Sequence, residues 1–258
     1  MTKRVLVIGT SHSVGVCGER ILPKGRRWHD HIKTNYDAEV VSLKFPGCTS
    51  LGQFFALSSY FYDNPDQYFD LCIIEGRHKE YTVDSAMEEV AFIDPKDEHF
   101  TWARENYDHW LDEDQRLAIN PMRNRHRSRT VSTSLLKNLD KPTRRLYEDY
   151  MSVYFESSLQ NMHSISHNFS ICALAKQRCE TVKWFSWPSH TVDDLDFYNL
   201  MQEVLYPYLM MSLYPTITKN VPQHYKCECG HLNEHGNRHI FKILKPEIDK
   251  ILEEKDGQ

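Results

Sequence analysis

Two short stretches carry side chains able to do chemistry. The first is Gly9-Thr10-Ser11-His12-Ser13, immediately after the apolar run Val5-Leu6-Val7-Ile8. The second is Glu228-Cys229-Gly230-His231-Leu232-Asn233-Glu234-His235-Gly236, near the other end of the chain. A serine hydroxyl near neutral pH attacks a carbonyl only when a base takes its proton, and the second stretch offers histidines, the residue type suited to that task. The bland reading of the first stretch is a helix N-cap, for which a Ser after a strand and a Gly is ordinary. The second stretch has a metal reading as well. Cys227, Cys229, His231, His235 and His239 fall within thirteen residues, and all are potential zinc ligands. Against it, Cys-x-Cys lacks the spacing of about two to four residues usual between zinc cysteines, and His235 and His239 stand where a helix has already begun. The metal reading therefore stands second to the catalytic one.

The elements that must position these residues follow from pattern. Val5–Ile8 reads as a parallel strand covered on both faces, and ligands of open α/β sheets bind at such strand ends. The stretch SVGVCGERILPKGRRWHDHIK is expected to hold a helix, interrupted by Gly15, Gly18, Pro23 and Gly25. AEVVSLKF is a second strand, stopped by the loop PGCTSLG, whose Thr and Ser cap the helix LGQFFALSSYFYD. YFDLCIIEG is a third strand, expected to end at Gly76. A long helical stretch, TRRLYEDYMSVYFESSLQNMHSISHNFSICALAKQRC, leads to a fourth strand, TVKWFSWPS, closed by Pro188. A helical segment over about 192–213 and a last helix over about 233–254 complete the chain. Alternating strands and helices predict an α/β fold, a three-layer α/β/α domain with a flavodoxin-like parallel sheet. One domain over 1–258 is expected, with a large, mostly helical insertion at about 81–145 after the third strand.

Composition excludes several classes. With 26% charged and 40% hydrophobic residues the chain is globular in composition. A net charge of −5 argues against a dedicated nucleic-acid binder, and no apolar run nears the roughly 18 residues a membrane helix needs. The 7 cysteines are odd in number and scattered, so free thiols are expected. MTKR runs straight into the first strand without a longer apolar region, so the expected location is cytoplasmic. A phosphate loop and a Gly-x-Gly-x-x-Gly turn are missing, and GTSHS lacks the last Gly of Gly-x-Ser-x-Gly.

Taken in order, the loops GTSHS, PGCTS, EGRHKE and ECGHLNEHG resemble those of the SGNH hydrolases, the GDSL-type esterases. That family carries a GDSxS loop, a Gly after the second strand, an Asn in GxND after the third, and DxxHLNxxG before the last helix. The resemblance implies that Ser11 is the nucleophile, with Thr10 where the family has Asp. It implies that His231 is the base and that Glu228, three residues earlier, orients the imidazole in place of the family's Asp. Around the developing oxyanion it implies the N–H groups of Ser11 and Gly47, and a third donor from His78 at the family's Asn position. Arg77 beside it is suited to an anionic substrate group. No metal or cofactor is required, and the expected substrate is a small-molecule or glycan carboxylic ester.

Within the insertion, Arg123, Arg125, Arg127 and Arg129 alternate in MRNRHRSR. This is a solvated loop or a clamp for an anionic ligand. Because Thr10, His78 and Glu228 depart from the family pattern, a non-catalytic binding protein on the same fold, holding an anionic glycan or nucleic-acid segment, stands as the alternative.

Overall fold

The computed structural model describes residues 2–17, 20–44, 50–77, 158–187, 203–210, 222–228 and 231–253, with positions 141, 142, 144, 145, 149 and 200. The chain forms β1 (Arg4–Gly9), α1 (Ser11–Val14), β2 (Val16–Cys17), β3 (Arg20–Ile21), α2 (Asp30–Tyr36), β4 (Glu39–Lys44), α3 (Ser50–Asp63), β5 (Phe69–Arg77), α4 (Ser158–Lys176), β6 (Cys179–Trp187) and α5 (Glu234–Leu252). Single 3-10 turns cover Tyr206–Tyr208 and Gln223–Tyr225.

Four strands make the main sheet in the order β4-β1-β5-β6, every pair parallel. Both faces are buried, as the apolar runs predict. Leu6 and Ile8 of β1 and Cys72 and Ile74 of β5 join Leu57, Ile171 and Cys172 of α3 and α4 in one core. The intervening Val5, Val7, Leu71 and Ile73 join Trp28, Ile32, Ile240 and Leu244 in the other, beneath α2 and α5. The result is the expected α/β/α sandwich. The chain passes from β1 to β4 on one side and to β5 on the other, so the strand order reverses between the carboxyl ends of β1 and β5. That crevice is where ligands of such sheets bind.

Two local expectations are corrected. The helix expected after β1 is broken up: α1 is one turn, β2 and β3 pair as a two-residue hairpin, and only α2 is a longer helix. Gly15 at φ 83° and Gly25 at φ 90° take left-handed conformations that a helix excludes. The third strand also runs past Gly76, which pairs with Ser186 while Arg77 pairs with Trp187. Gly76 is needed there because a Cβ would overlap the indole nitrogen of Trp184 and the amide of Asn168. That amide oxygen accepts from Trp184 Nε1 at 3.0 Å and from Ser50 Oγ at 3.0 Å, tying β6 and the start of α3 to α4. The PGCTS loop up to Thr49, nearly all of the insertion with its arginine run, Pro188 and most of 192–213 lie outside the described residues.

Gly76→Ala is expected to cost about 1–3 kcal/mol through overpacking, seen as a fall in Tm. Tyr62→Ser, on a side chain 85% exposed on α3, should stay within about 0.5 kcal/mol of the parent.

Candidate active site

Thr10 and α1 cap the carboxyl end of β1. Val14 N–H donates to the Thr10 carbonyl at 3.0 Å, closing one turn, and Gly15 ends it. Thr10 and Ser13 are buried. Both point at Glu75 of β5, a fully buried carboxylate that the sequence reading did not single out. Its Oε2 accepts from Thr10 N at 3.2 Å and Ser13 N at 3.1 Å. The Thr10 hydroxyl donates to Oε1 and the Ser13 hydroxyl to Oε2. Ser13 is therefore structural, as the capping role of a second loop serine suggests. Gly9 admits this arrangement, since a Cβ there would overlap the Ser13 side chain. Ser11 enters as the first residue of α1.

The second half of the site is built before α5. Asn233 caps the helix: its side-chain oxygen accepts from Gly236 N at 3.0 Å, and its amide donates to the His224 carbonyl at 2.8 Å. A Cβ on Gly236 would overlap the Tyr225 carbonyl, so this glycine lets the 3-10 turn lie against α5. Cys227 N donates to the His231 carbonyl at 2.8 Å, and Lys226 bridges to Leu232. The Asn and Gly of HLNEHG thus hold the turn that presents His231.

The two halves meet. The rings of His12, next to Ser11, and His231 lie 5.0 Å apart between centroids. A disulfide joins Cys17, just after α1, to Cys227, with Cα atoms 5.7 Å apart. This corrects the expectation of free thiols for these two cysteines. The hairpin returns Cys17 against the 222–228 segment, a proximity that parity and spacing along the chain cannot disclose. It also removes Cys227 from any zinc set, and among the described residues no group of three potential ligands is arranged to hold a metal. Cys72, Cys172 and Cys179 are free and buried; burial pushes the Cys72 and Cys172 thiols upward, which keeps them unreactive.

The other expected site residues are less placed. Glu228 is exposed, three residues before His231. Arg77 ends β5 beside Trp187 of β6. Gly47, His78, Arg123, Arg125, Arg127 and Arg129 lie outside the described residues. The sequence reading also missed a buried pair next to the site. Lys44 ends β4 beside Gly9, and its Nζ lies 3.1 Å from His29 Nε2, both side chains buried. Burial, then the Lys44 charge, hold the His29 imidazole well below its ordinary pKa, so it accepts from the ammonium as a neutral ring. The signal for both omissions was a charged residue ending an apolar run, Lys44 in VVSLK and Glu75 in CIIE.

No family model and no curated protein matches the chain. Among solved structures, TesA is 12% identical over 96% of this chain and 99% of its own, with a TM-score of 0.50. The psychrotrophic esterase EstA from Pseudoalteromonas sp., in a structure inhibited by monoethylphosphonate, is 10% identical over 97% and 99%, with a TM-score of 0.51. At such identities the likeness establishes the fold alone, the α/β arrangement. No helix among the described residues is long and apolar enough to cross a membrane.

Two outcomes follow from this geometry. Digestion without reductant should yield a linked peptide pair containing Cys17 and Cys227, and Cys17→Ser should lower stability by about 2–4 kcal/mol. The unfolded chain protonates His29 as pH falls through about 6.5 while the folded chain resists, so the unfolded state binds more protons. Stability is then fully present above about 6.5 and declines below it. Denaturant midpoints at pH 7.5 and 5.5 should differ less in His29→Gln than in the parent; His31 and His239, also lowered chiefly by burial, remain in both.

Proposed function

We propose that the chain is a serine hydrolase of carboxylic esters, with an acetyl ester of a carbohydrate or other small molecule as substrate. The observation that carries this reading is the meeting of the two chemical stretches, His12 against His231 with Cys17 bonded to Cys227, at the carboxyl end of β1. The fold shared with an esterase supports it. In this reading Ser11 attacks the ester carbonyl while His231 takes its proton. The oxyanion is met by the N–H groups of Ser11 and Gly47 and by His78. His231 then protonates the leaving alcohol, and water releases the acyl group by the reverse sequence. Glu228 orients His231, and closure of its carboxylate onto the imidazole on substrate binding belongs to this proposal. Arg77 and the Arg123–Arg129 run receive an anionic part of the substrate. An acceptor other than water would make the same machinery an acyltransferase.

The exposed position of Glu228 favours the second reading, a binding protein on this fold that turns nothing over. The Cys17–Cys227 bond supports an oxidising compartment over the cytoplasmic one expected from the sequence.

The test is turnover of p-nitrophenyl acetate and labelling by a phosphonate, the class of inhibitor bound to EstA. Ser11 should be labelled at a rate that depends on His231, and Ser11→Ala should lose at least about 10³-fold in kcat. His78→Ala should cost on the order of 10²-fold, the scale of one oxyanion donor, and His78→Asn should retain activity. Replacing the four arginines with Gln should spare the small neutral ester while weakening an anionic ligand in a salt-dependent way. Binding without turnover or labelling would select the second reading.

A further inference from the structure

A chain of buried hydrogen bonds runs from the nucleophile loop to the turn carrying His231. Glu75 takes both N–H and hydroxyl groups of Thr10 and Ser13, the residues flanking Ser11-His12. An indole N–H can only donate, so Trp28 Nε1 donates to Ser13 Oγ at 3.0 Å and leaves the serine proton for Glu75. Trp28 N–H donates to Asn237 Oδ1 at 3.1 Å. The Asn237 amide donates to the Leu232 carbonyl at 3.2 Å, one residue from His231. Glu75, Ser13, Trp28 and Asn237 are all fully buried. From behind, Gln53 Nε2 of α3 holds the Glu75 carbonyl at 2.9 Å.

We propose that Glu75 is the positioning residue of this site, acting through Thr10 and Ser13 on Ser11 and through Ser13, Trp28 and Asn237 on His231. The proposal rests on the hydrolase reading above and deepens it. The carboxylate binds residues 10 and 13, on either side of Ser11-His12, and so sets the path of the backbone that carries the Ser11 N–H. Among the described residues four donors, from Thr10 and Ser13, converge on the Glu75 carboxylate, an arrangement that an acceptor-only carboxylate satisfies and an amide or a protonated acid does not. The Asp of the GDSxS pattern is Thr10 here, and the acidic group beneath this loop comes from β5.

The arrangement predicts a specific rescue. Glu75→Gln turns an amide N–H toward the Thr10 and Ser13 donors, and kcat for p-nitrophenyl acetate should fall by up to about 10²-fold, the scale of a small misplacement of reacting groups, with KM within about twofold. Thr10→Asp alone sets two carboxylates against each other and should be at least as poor. In the variant carrying both substitutions, the amide introduced on β5 meets the carboxylate introduced in the loop, and kcat should exceed that of either single variant. A filler of the core would show no such recovery: a double variant no better than the product of the singles overturns the proposal, as does Glu75→Gln with parental kcat. Should Glu75→Gln fail to fold, Thr10→Val, which deletes one donor, should lower kcat by less than about tenfold at unchanged KM, and parental kcat would overturn the proposal. If the parent hydrolyses no ester, the hydrolase reading fails alone. Amide exchange then decides: loss of protection in 11–14 and 231–237 with β6 unchanged upholds the positioning role, and parental protection in Glu75→Gln removes it.

Discussion

The Glu75 carboxylate is the group around which the site end of the sheet is arranged. A charge removed from water costs several kcal/mol unless hydrogen bonds replace its hydration. Thr10 and Ser13 supply them with both backbone and side-chain donors. The loop after β1 therefore cannot adopt another path without stranding that charge. Gly9 follows from the same requirement, because only a residue without Cβ leaves room for Ser13 against the carboxylate. So does Trp28, whose indole N–H completes the Ser13 hydroxyl while its ring fills the core beneath α5.

Sheet topology puts this group where it matters. With β4 and β5 on opposite sides of β1, the chain leaves the end of β1 into a crevice, and Glu75, next after Ile74 on β5, is buried beneath the loop that enters it. The opposite component comes from far along the chain, where Asn233 and Gly236 shape a turn by capping and by close approach, and so set where His231 stands. The Cys17–Cys227 bond fastens that turn to the hairpin after α1. The two segments that carry Ser11 and His231 are thus held by three unlike attachments: a buried carboxylate network, a helix cap and a disulfide. Each acts on the backbone of those segments.

Lys44 and His29 show how the same end of the sheet tolerates a second buried charge. The ammonium ends β4 beside Gly9, and the neutral imidazole is its acceptor. Burial and the lysine charge suppress the ring's protonation together, so the pair is consistent at neutral pH and loses its basis in acid.

Strands and their order of appearance were legible in the chain because apolar runs such as Val5–Ile8 and Cys72–Ile74 report burial on both faces within a few residues. The helices α3 and α5 were legible as segments, and Asn233, where the last helix was expected to begin, is its N-cap. The two chemical stretches could be named from residue type and from resemblance. What sequence by itself determined is this local grammar: which segments become strands or helices, and which polar residues end them. Tertiary structure alone decided that Cys17 meets Cys227, that Glu75 faces inward under the loop, that Gly76 continues a strand to accommodate Trp184, and that the stretch after β1 folds as a hairpin. Each is a partnership between segments distant in the chain. A buried polar group or a missing Cβ has meaning only through the atom opposite it, and that atom is chosen by packing, which no window of neighbouring residues contains.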